Sequence, residues 1–296
     1  MRLNKYILII YSICLIACQT NTSKQDSSST GYLKHQTAVL DSDTKNTLKL
    51  AYTGNMGVCL EYDDKTVIID GLHEYYDKPY VYPPESMVNQ LIKGEFKNFS
   101  KIEFCLFTHL HGDHFSGRYA KRYLESSDEA YVIGSSQLMK DVVTLRTKLD
   151  SMSSRFFPVP YNKKAHSFNA TGIKIEAIQC DHTNPQRHNK TQNIAYLVNL
   201  GGYNILHVGD TDWSLTREPA KTLDIKNKTL DIAILPYWLL LDDSDSSQVN
   251  DILAPKHIIA THIPPDFSKR NQNELQERFP NITLLMDLGE VHYFSK

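Results

Sequence analysis

The chain has 296 residues, with 32 Lys and Arg against 34 Asp and Glu and a formal net charge of −2 at pH 7. This near balance gives no basic patch for nucleic acid, so we expect no nucleic-acid partner. The length suffices for one folded domain with a sizeable core, and no repeat or internal linker requires a second domain.

The first 18 residues have the pattern of an export signal. A basic start precedes an apolar run from Tyr6 to Ala17, which is too short to span a bilayer comfortably. Leu15-Ile16-Ala17-Cys18 resembles the cleavage box of bacterial lipoproteins. We predict that residues 1–17 are a signal peptide and that Cys18 is lipidated, because several acyl chains together anchor a protein stably. An ordinary cleaved signal, or an anchor helix with an incidental cysteine, is the alternative.

The segment after the signal is polar. Residues 18–47 are rich in Ser, Thr, Lys, Asp and Gln, which predicts a flexible tether ahead of a folded body at 48–296. Removing the signal deletes two of the 32 basic residues and leaves 30 against 34 acidic ones, a net charge near −4. Gln19 gives no acidic retention signal, which favours an outer membrane where the cell has one. We expect an exported lipoprotein of the cell envelope, on its periplasmic or surface face.

Three cysteines remain in the body: Cys59, Cys105 and Cys180. All three lie in strand-like runs, and an odd, scattered set is not typical of a disulfide framework. We therefore predict no structural disulfide.

The body opens with strand signals. Leu48–Tyr52 and Val58–Tyr62 are predicted to pair around the turn Thr53-Gly54-Asn55, and Thr66–Asp70 is predicted as a third strand. Asp70 closes this buried run, where it suits either a support for a neighbouring site or an ordinary turn before a glycine.

Two aromatic segments follow strands and are candidates for a pocket wall. Residues 72–84 are dense in tyrosine and proline, and residues 232–241 are a predicted strand that runs into an apolar loop. Loops after strands often carry function, and aromatic rings offer apolar faces with polar tips. We predict that Tyr75, Tyr80, Tyr237 and Trp238 line a small-molecule pocket; packing over neighbouring strands is the alternative.

Four side chains that bind metals lie within six consecutive positions: His109, His111, Asp113 and His114. The apolar run before them, Ile102–Phe107, predicts a buried strand, so the histidines begin where a strand ends. In an extended chain residues two apart point the same way, so the first two histidines can face one cation. Gly112 permits a turn, after which the next two side chains can face a second cation.

This His-x-His-x-Asp-His motif resembles the signature of the metallo-β-lactamase-fold superfamily of metal-dependent hydrolases. The resemblance extends over the whole body and implies a four-layer αββα sandwich that binds two Zn²⁺ ions. It also implies further metal ligands downstream, and a role for Asp70 in orienting the ligating histidines.

The third imidazole of the first metal has two candidates. Ile173–Gln179 alternates as a strand does, and His182 follows it as His109 follows the earlier strand. His188 lies six residues further on in a polar loop. We favour His182, because a strand end is a more rigid platform than a loop.

The bridging ligand is predicted at Asp210. Tyr203–Val208 is a largely apolar strand, and Gly209-Asp210-Thr211 resembles the superfamily's bridging-carboxylate motif. The two oxygens of one carboxylate can touch both ions, about 3.5–4 Å apart. His207 lies within the strand and is predicted to be a core residue.

His262 follows a short apolar strand, Ile258–Thr261, where the superfamily places its last ligand. The second metal would then have the ligands Asp113, His114, Asp210 and His262. Asp113 is also our candidate for orienting the attacking water.

Helical spacing appears at 85–96, 119–124 and 136–149, while Ala130–Ile133 is predicted as a strand. Residues 157–161 contain Pro158 and Pro160 and are predicted as a connection. Strands mixed with helices indicate a layered α/β body, which agrees with the sandwich that the resemblance implies.

Two Zn²⁺ ions lower the pKa of a shared water and make hydroxide available near neutral pH. We predict a membrane-anchored dizinc hydrolase of a small ester, lactone or phosphodiester, closest to the lactonase-like and phosphodiesterase-like branch. A β-lactamase is the alternative within the enzymes, and a metal-stabilised binding lipoprotein without turnover is the alternative outside them. An oxidoreductase with two irons fits less well, because the third ligand is a histidine and no flavin domain follows.

Overall fold

The computed structural model describes residues 46–77, 80–144, 154–241 and 246–296. The predicted signal segment, Cys18 and nearly all of the predicted tether lie outside the described residues. Within the described residues no helix is long and apolar enough to cross a membrane.

Fourteen strands in the described residues form two mixed sheets of seven. The first sheet has the spatial order β14 (Val291–Phe294), β1 (Leu48–Gly54), β2 (Gly57–Tyr62), β3 (Lys65–Ile69), β4 (Ile102–Leu106), β5 (Tyr131–Ser135) and β6 (Phe156–Val159). The second has the order β13 (Ile282–Leu284), β12 (His257–Thr261), β11 (Ile232–Pro236), β10 (Tyr203–His207), β9 (Ile194–Leu200), β8 (Ile173–Gln179) and β7 (His166–Ala170). Neighbours from β3 to β6 and from β10 to β13 are parallel, so their carboxyl ends share one edge of each sheet.

Helices link the strands, and most of them cover the outer faces of the two sheets. They are α1 (Glu85–Lys93), α2 (Gly117–Ser126), α3 (Ser136–Thr144), α4 (Pro185–His188), α5 (Trp213–Thr222), α6 (Trp238–Leu241), α7 (Ser246–Gln248) and α8 (Lys269–Arg278). A 3₁₀ turn at Ile225–Asn227 and a π-helical turn at Val249–Leu253 complete the set in the described chain.

Three apolar clusters define the layers. One joins inward residues of both sheets, such as Leu60 and Tyr196, so the sheets pack face to face. A second packs the outer face of the first sheet against α1, α2 and α3, and a third packs the outer face of the second sheet against α5, α6 and α8. The predicted four-layer αββα sandwich is confirmed. Cys59, Cys105 and Cys180 are buried free thiols within these layers.

Local sequence explains where α1 and α2 begin and end. The buried residues of α1 are Met87, Val88, Leu91 and Ile92, a helical spacing, and Gly94 ends the helix in the left-handed conformation with φ 71°. The Ser116 hydroxyl oxygen accepts a hydrogen bond from the Tyr119 N–H at 3.3 Å and caps α2. A capped helix therefore follows the metal-binding motif and fixes the direction of the chain after it.

Two predictions about secondary structure need correction. The predicted connection at 157–161 overlaps strand β6, which lies at the edge of the first sheet, and an edge strand tolerates Pro158. The predicted helix at 85–96 ends at Lys93, and α3 is described to Thr144, since residues 145–153 lie outside the described chain.

Candidate metal centre

The predicted metal ligands meet where strands of the two sheets end. The motif follows β4 of the first sheet, whereas His182, Asp210 and His262 follow β8, β10 and β12 of the second. The motif is tied to the second sheet, because the Ile194 N–H donates to the Thr108 carbonyl at 2.9 Å and the Tyr196 hydroxyl donates to the Phe107 carbonyl at 2.7 Å. The packing of the sheets thus holds both halves of the site together.

All seven predicted ligands fall into groups whose donor atoms lie within 4.8 Å of one another. The first donor group is His109, His111 and His182, and the second donor group is Asp113, His114 and His262. A further group, His109, His114 and Asp210, links the two. Asp210 therefore connects a ligand of the first donor group, His109, with a ligand of the second, His114.

Asp70 fixes which nitrogen of two histidines faces the site. Its carboxylate accepts hydrogen bonds from the His114 Nδ1–H at 2.8 Å and from the Thr108 hydroxyl at 2.6 Å. The Thr108 oxygen in turn accepts from the His109 Nδ1–H at 3.0 Å. Both histidines therefore direct Nε2 inward, and this nitrogen binds a metal once it carries no proton.

Several buried atoms that could bind a metal have no hydrogen-bond partner among the described residues. His182 donates its Nδ1–H to the Thr183 carbonyl at 2.7 Å, which leaves its Nε2 unpaired. His262 Nε2 and Asp210 Oδ1 are also buried and unpaired. Buried polar atoms without partners are costly, and cations held by the two donor groups would satisfy them. The residues present thus fit a divalent metal.

The spacing of the donor atoms supports the same conclusion. Asp210 Oδ1 lies 3.3 Å from His114 Nε2, and Asp210 Oδ2 lies 3.4 Å from His262 Nε2 and 3.7 Å from His182 Nε2. Ligands about 2.0–2.1 Å from one tetrahedral zinc are about 3.3–3.4 Å from each other. The separations from His114 and His262 are typical of ligands that share an ion. Oδ1 faces His114, whereas Oδ2 lies near His262 of the second donor group and His182 of the first.

Burial and neighbouring charges determine which of the predicted ligand side chains carry a proton. Burial lowers the pKa of His262, but Asp210 and Asp113 outweigh it and raise the pKa to about 9. In His114, burial is likewise outweighed by Asp210 and Asp113, which raise the pKa well above 6.5. Burial and the His114 charge hold the pKa of His109 well below 6.5. Two protons thus balance two carboxylates, and a bound cation replaces those protons.

The structure separates His182 from its competitor. His182 supplies an atom to the first donor group, whereas His188, at the end of the short helix α4, supplies none in the described chain. The His188 ring packs against the rings of His182 and His111, with centroids 4.3 and 4.9 Å away. His188 therefore contacts two rings of the first donor group without supplying a donor atom to it.

The predicted pocket residues divide into two kinds. The rings of Tyr80 and Trp238 lie edge-on to His262, with centroids 5.1 and 4.8 Å away. Tyr237 packs instead against Phe267 and Trp238, and Tyr75 packs against Tyr82 in an exposed position. Tyr80 and Trp238 therefore adjoin the second donor group, whereas the other two contact no predicted ligand in the described chain.

Sequence reasoning missed two residues at the site. The Tyr76 ring is nearly parallel to the His111 ring, at 14° with centroids 6.4 Å apart, and it covers Gly112 so closely that a Cβ there would lie 2.8 Å from Tyr76 Cδ2. Gly112 is thus needed for space rather than for a left-handed turn. Asn55, predicted only as a turn residue, hydrogen-bonds Asp113. The tyrosine-rich segment signalled Tyr76, but no pattern in the sequence pairs Asn55 with a residue 58 positions away.

The chain matches the family model described as the beta-lactamase superfamily domain over residues 49–262, more than half of its length. It therefore belongs to the β-lactamase superfamily of domains. The match contains all seven predicted metal ligands.

Solved structures with this fold include proteins of different activity. Igni18, a metallo hydrolase from the archaeon Ignicoccus hospitalis, is 17% identical with a TM-score of 0.59, over 84% of this chain and 99% of that one. The isothiocyanate hydrolase from Delia radicum gut bacteria is 17% identical with a TM-score of 0.54, over 84% and 100%. CmlA, a diiron β-hydroxylase from Streptomyces venezuelae, is 13% identical with a TM-score of 0.51, over 84% and 54%. At these identities the likeness shows the fold, and the prediction of a metal-dependent hydrolase agrees with the family and with the first two descriptions.

Proposed function

We propose that the protein is a hydrolase that holds two Zn²⁺ ions and cleaves a small ester, lactone or phosphodiester. The observation that carries the proposal is the pair of donor groups joined by Asp210, with inward nitrogens and unpaired buried atoms. A binding protein has no need for two adjacent donor groups with a shared carboxylate. When bound, the ions supply an activated water at neutral pH and polarise the substrate's carbonyl or phosphoryl oxygen.

Asp113 orients the attacking water and takes its proton. Without metal, burial raises the pKa of this carboxyl, but the His114 charge outweighs it and lowers the pKa below its usual value. A bound cation would favour the ionised carboxylate in the same way. Its Oδ2 lies 3.5 Å from His262 Nε2, at the centre of the second donor group. An ionised carboxylate in that place suits a general base.

Tyr80 supplies a proton donor opposite these carboxylates. Burial raises the pKa of the phenol, and the charges of Asp113 and Asp210 raise it further, so the hydroxyl keeps its proton at neutral pH. We assign it to the substrate oxygen that gains negative charge. Tyr76 lies against His111 and Trp238 against His262, and their rings exclude water from an apolar part of the substrate.

The test is zinc content together with turnover. Purified protein is assayed for bound zinc and for hydrolysis of lactones, aryl esters, phosphodiesters and β-lactams, beside Asp210→Ala. We expect about two zinc ions per chain and turnover of one substrate class, with the variant reduced at least about a thousandfold because the ligand shared by both ions is lost. Turnover confined to β-lactams assigns the β-lactamase alternative. Two zinc ions without any turnover favour the binding role, and less than one zinc per chain overturns the proposal.

A further inference from the structure

Asn55 lies in the turn between β1 and β2, against the second donor group. Its side-chain Nδ2 is 3.0 Å from Asp113 Oδ2, 3.2 Å from the Asp113 carbonyl oxygen and 3.2 Å from His114 Nε2. The residue is 2% exposed, so water does not compete for these contacts. An amide group buried against two predicted ligands constrains both of them.

The hydrogen-bonding capacity of the amide matches Asp113. An Asn side chain donates two N–H bonds, and Asp113 offers two acceptors in reach, one on its carboxylate and one on its backbone. The bond to the carbonyl oxygen fixes the position of the Asp113 backbone, and the bond to the carboxylate fixes the rotation of the Asp113 side chain. Together they set the orientation of the carboxylate toward His262.

The backbone of Asn55 fixes a second ligand from a distant part of the chain. Its carbonyl oxygen accepts a hydrogen bond from the His262 N–H at 2.9 Å. Both residues have left-handed backbones, with φ 47° for Asn55 and φ 58° for His262. Few non-glycine residues adopt this conformation, although asparagine does so more often than most. The bond from Asn55 therefore helps to hold His262 in a conformation that its own backbone disfavours.

We propose that Asn55 is the positioning residue for the second metal of the centre. The inference rests on the proposed two-metal function and deepens it. Without the amide, the Asp113 carboxylate can rotate out of the second donor group. None of the hydrogen bonds of Asn55 in the described chain reaches His109, His111 or His182. Loss of the amide therefore weakens binding of the second metal, whereas the first metal keeps its ligands.

The experiment compares Asn55→Gly with Asp63→Gly in the full-length protein. Glycine keeps the left-handed backbone and the carbonyl that holds His262, and removes only the side chain. Asp63 has φ 53° in the exposed turn between β2 and β3, so its substitution makes the same backbone change away from the site. Both stepwise zinc affinities are measured by competition with a chromophoric chelator, and melting curves monitor the fold.

For Asn55→Gly we expect the second zinc step to weaken about 10–100-fold, the cost typical of losing a hydrogen bond to a metal ligand. The first step should change less than about threefold, and Asp63→Gly should bind like the wild type. Turnover lost at limiting zinc should return when zinc is raised by the same factor. Two unchanged steps, two equally weakened steps, or a variant that no longer folds while Asp63→Gly does, would overturn the role of Asn55. Wild-type protein that binds fewer than two zinc ions would instead overturn the proposed function.

Discussion

Asp70 is the residue on which the geometry of the motif depends most. It lies directly after β3 with a left-handed backbone at φ 51°, is fully buried, and also accepts the Thr108 N–H at 2.7 Å. Its carboxylate orients His114 directly and His109 through the Thr108 hydroxyl. The sequence indicated that Asp70 could support the site, because it closes a predicted buried strand. It did not indicate the role of Thr108, since a threonine before a histidine has no specific pattern.

His73 should make the protein sensitive to acid. It is fully buried, and its Nε2 lies 3.2 Å from the Gly54 carbonyl oxygen. Burial and the nearby His114 charge lower its pKa from 6.5 to about 4. Between those pH values the unfolded chain binds a proton that the folded chain does not, so the folded state loses stability as the pH falls. The loss is about 3 kcal/mol, at about 1.4 kcal/mol per pH unit.

His73→Gln tests this expectation, because glutamine can still donate to the Gly54 carbonyl and does not titrate. Free energies of unfolding are measured from pH 7 to pH 4 with a chelator present, so that metal binding adds no pH dependence. The variant should lose about 1.4 kcal/mol less per pH unit than the wild type between pH 6.5 and 4. Equal slopes for the two proteins would contradict the role of His73.

At the scale of elements, the segment between β3 and α1 covers the metal-binding motif. The Ser116 hydroxyl donates to the Glu74 carboxylate, and the Glu74 N–H donates to the Gly112 carbonyl at 3.4 Å. These bonds place Tyr76 over the motif, with the residue 51% exposed. The composition of the segment predicted an aromatic wall. The segment has no periodicity, however, so the sequence could not distinguish Tyr75, which faces Tyr82, from Tyr76, which faces His111.

Tyr76→Ala should impair substrate binding more than catalysis. The ring adjoins the first donor group but supplies no ligand, so its loss removes an apolar wall worth about 1–1.5 kcal/mol. For a substrate with a flat apolar group we expect KM to rise about tenfold and kcat to change less than about threefold. Tyr293→Ala is the matched control, since Tyr293 is 44% exposed on β14. Identical KM values for the two variants would remove Tyr76 from the pocket.

At the scale of the whole molecule, each donor group combines ligands from both sheets. The first donor group takes its third imidazole from the end of β8, and the second takes His262 from the end of β12. Strand patterns predicted these ends, because apolar runs closed by His or Asp are visible in the sequence. The pairing of Asn55 with Asp113 and the edge strands β6 and β7 were not predictable. The pairing depends on the strand order of the first sheet, which carries both the β1–β2 turn and the segment after β4. The two edge strands are short, and they have a proline or weak alternation.

Attachment to a membrane is a separate prediction for the whole chain. If Cys18 carries the lipid, the wild type should sediment with membranes of the producing bacterium, and Cys18→Ser should be released or remain unprocessed. Mass spectrometry of the N-terminal peptide measures the acyl chains directly. A mature N-terminus other than residue 18, without added mass, would indicate an ordinary signal peptide.

The central claim is that two ions lie side by side with Asp210 between them. Crystals grown with zinc and measured at its absorption edge give an anomalous difference map that locates each ion. We predict two peaks about 3.5–4 Å apart, one against His109, His111 and His182 and the other against Asp113, His114 and His262. A single peak, or a second peak away from Asp210, would contradict the two-metal centre.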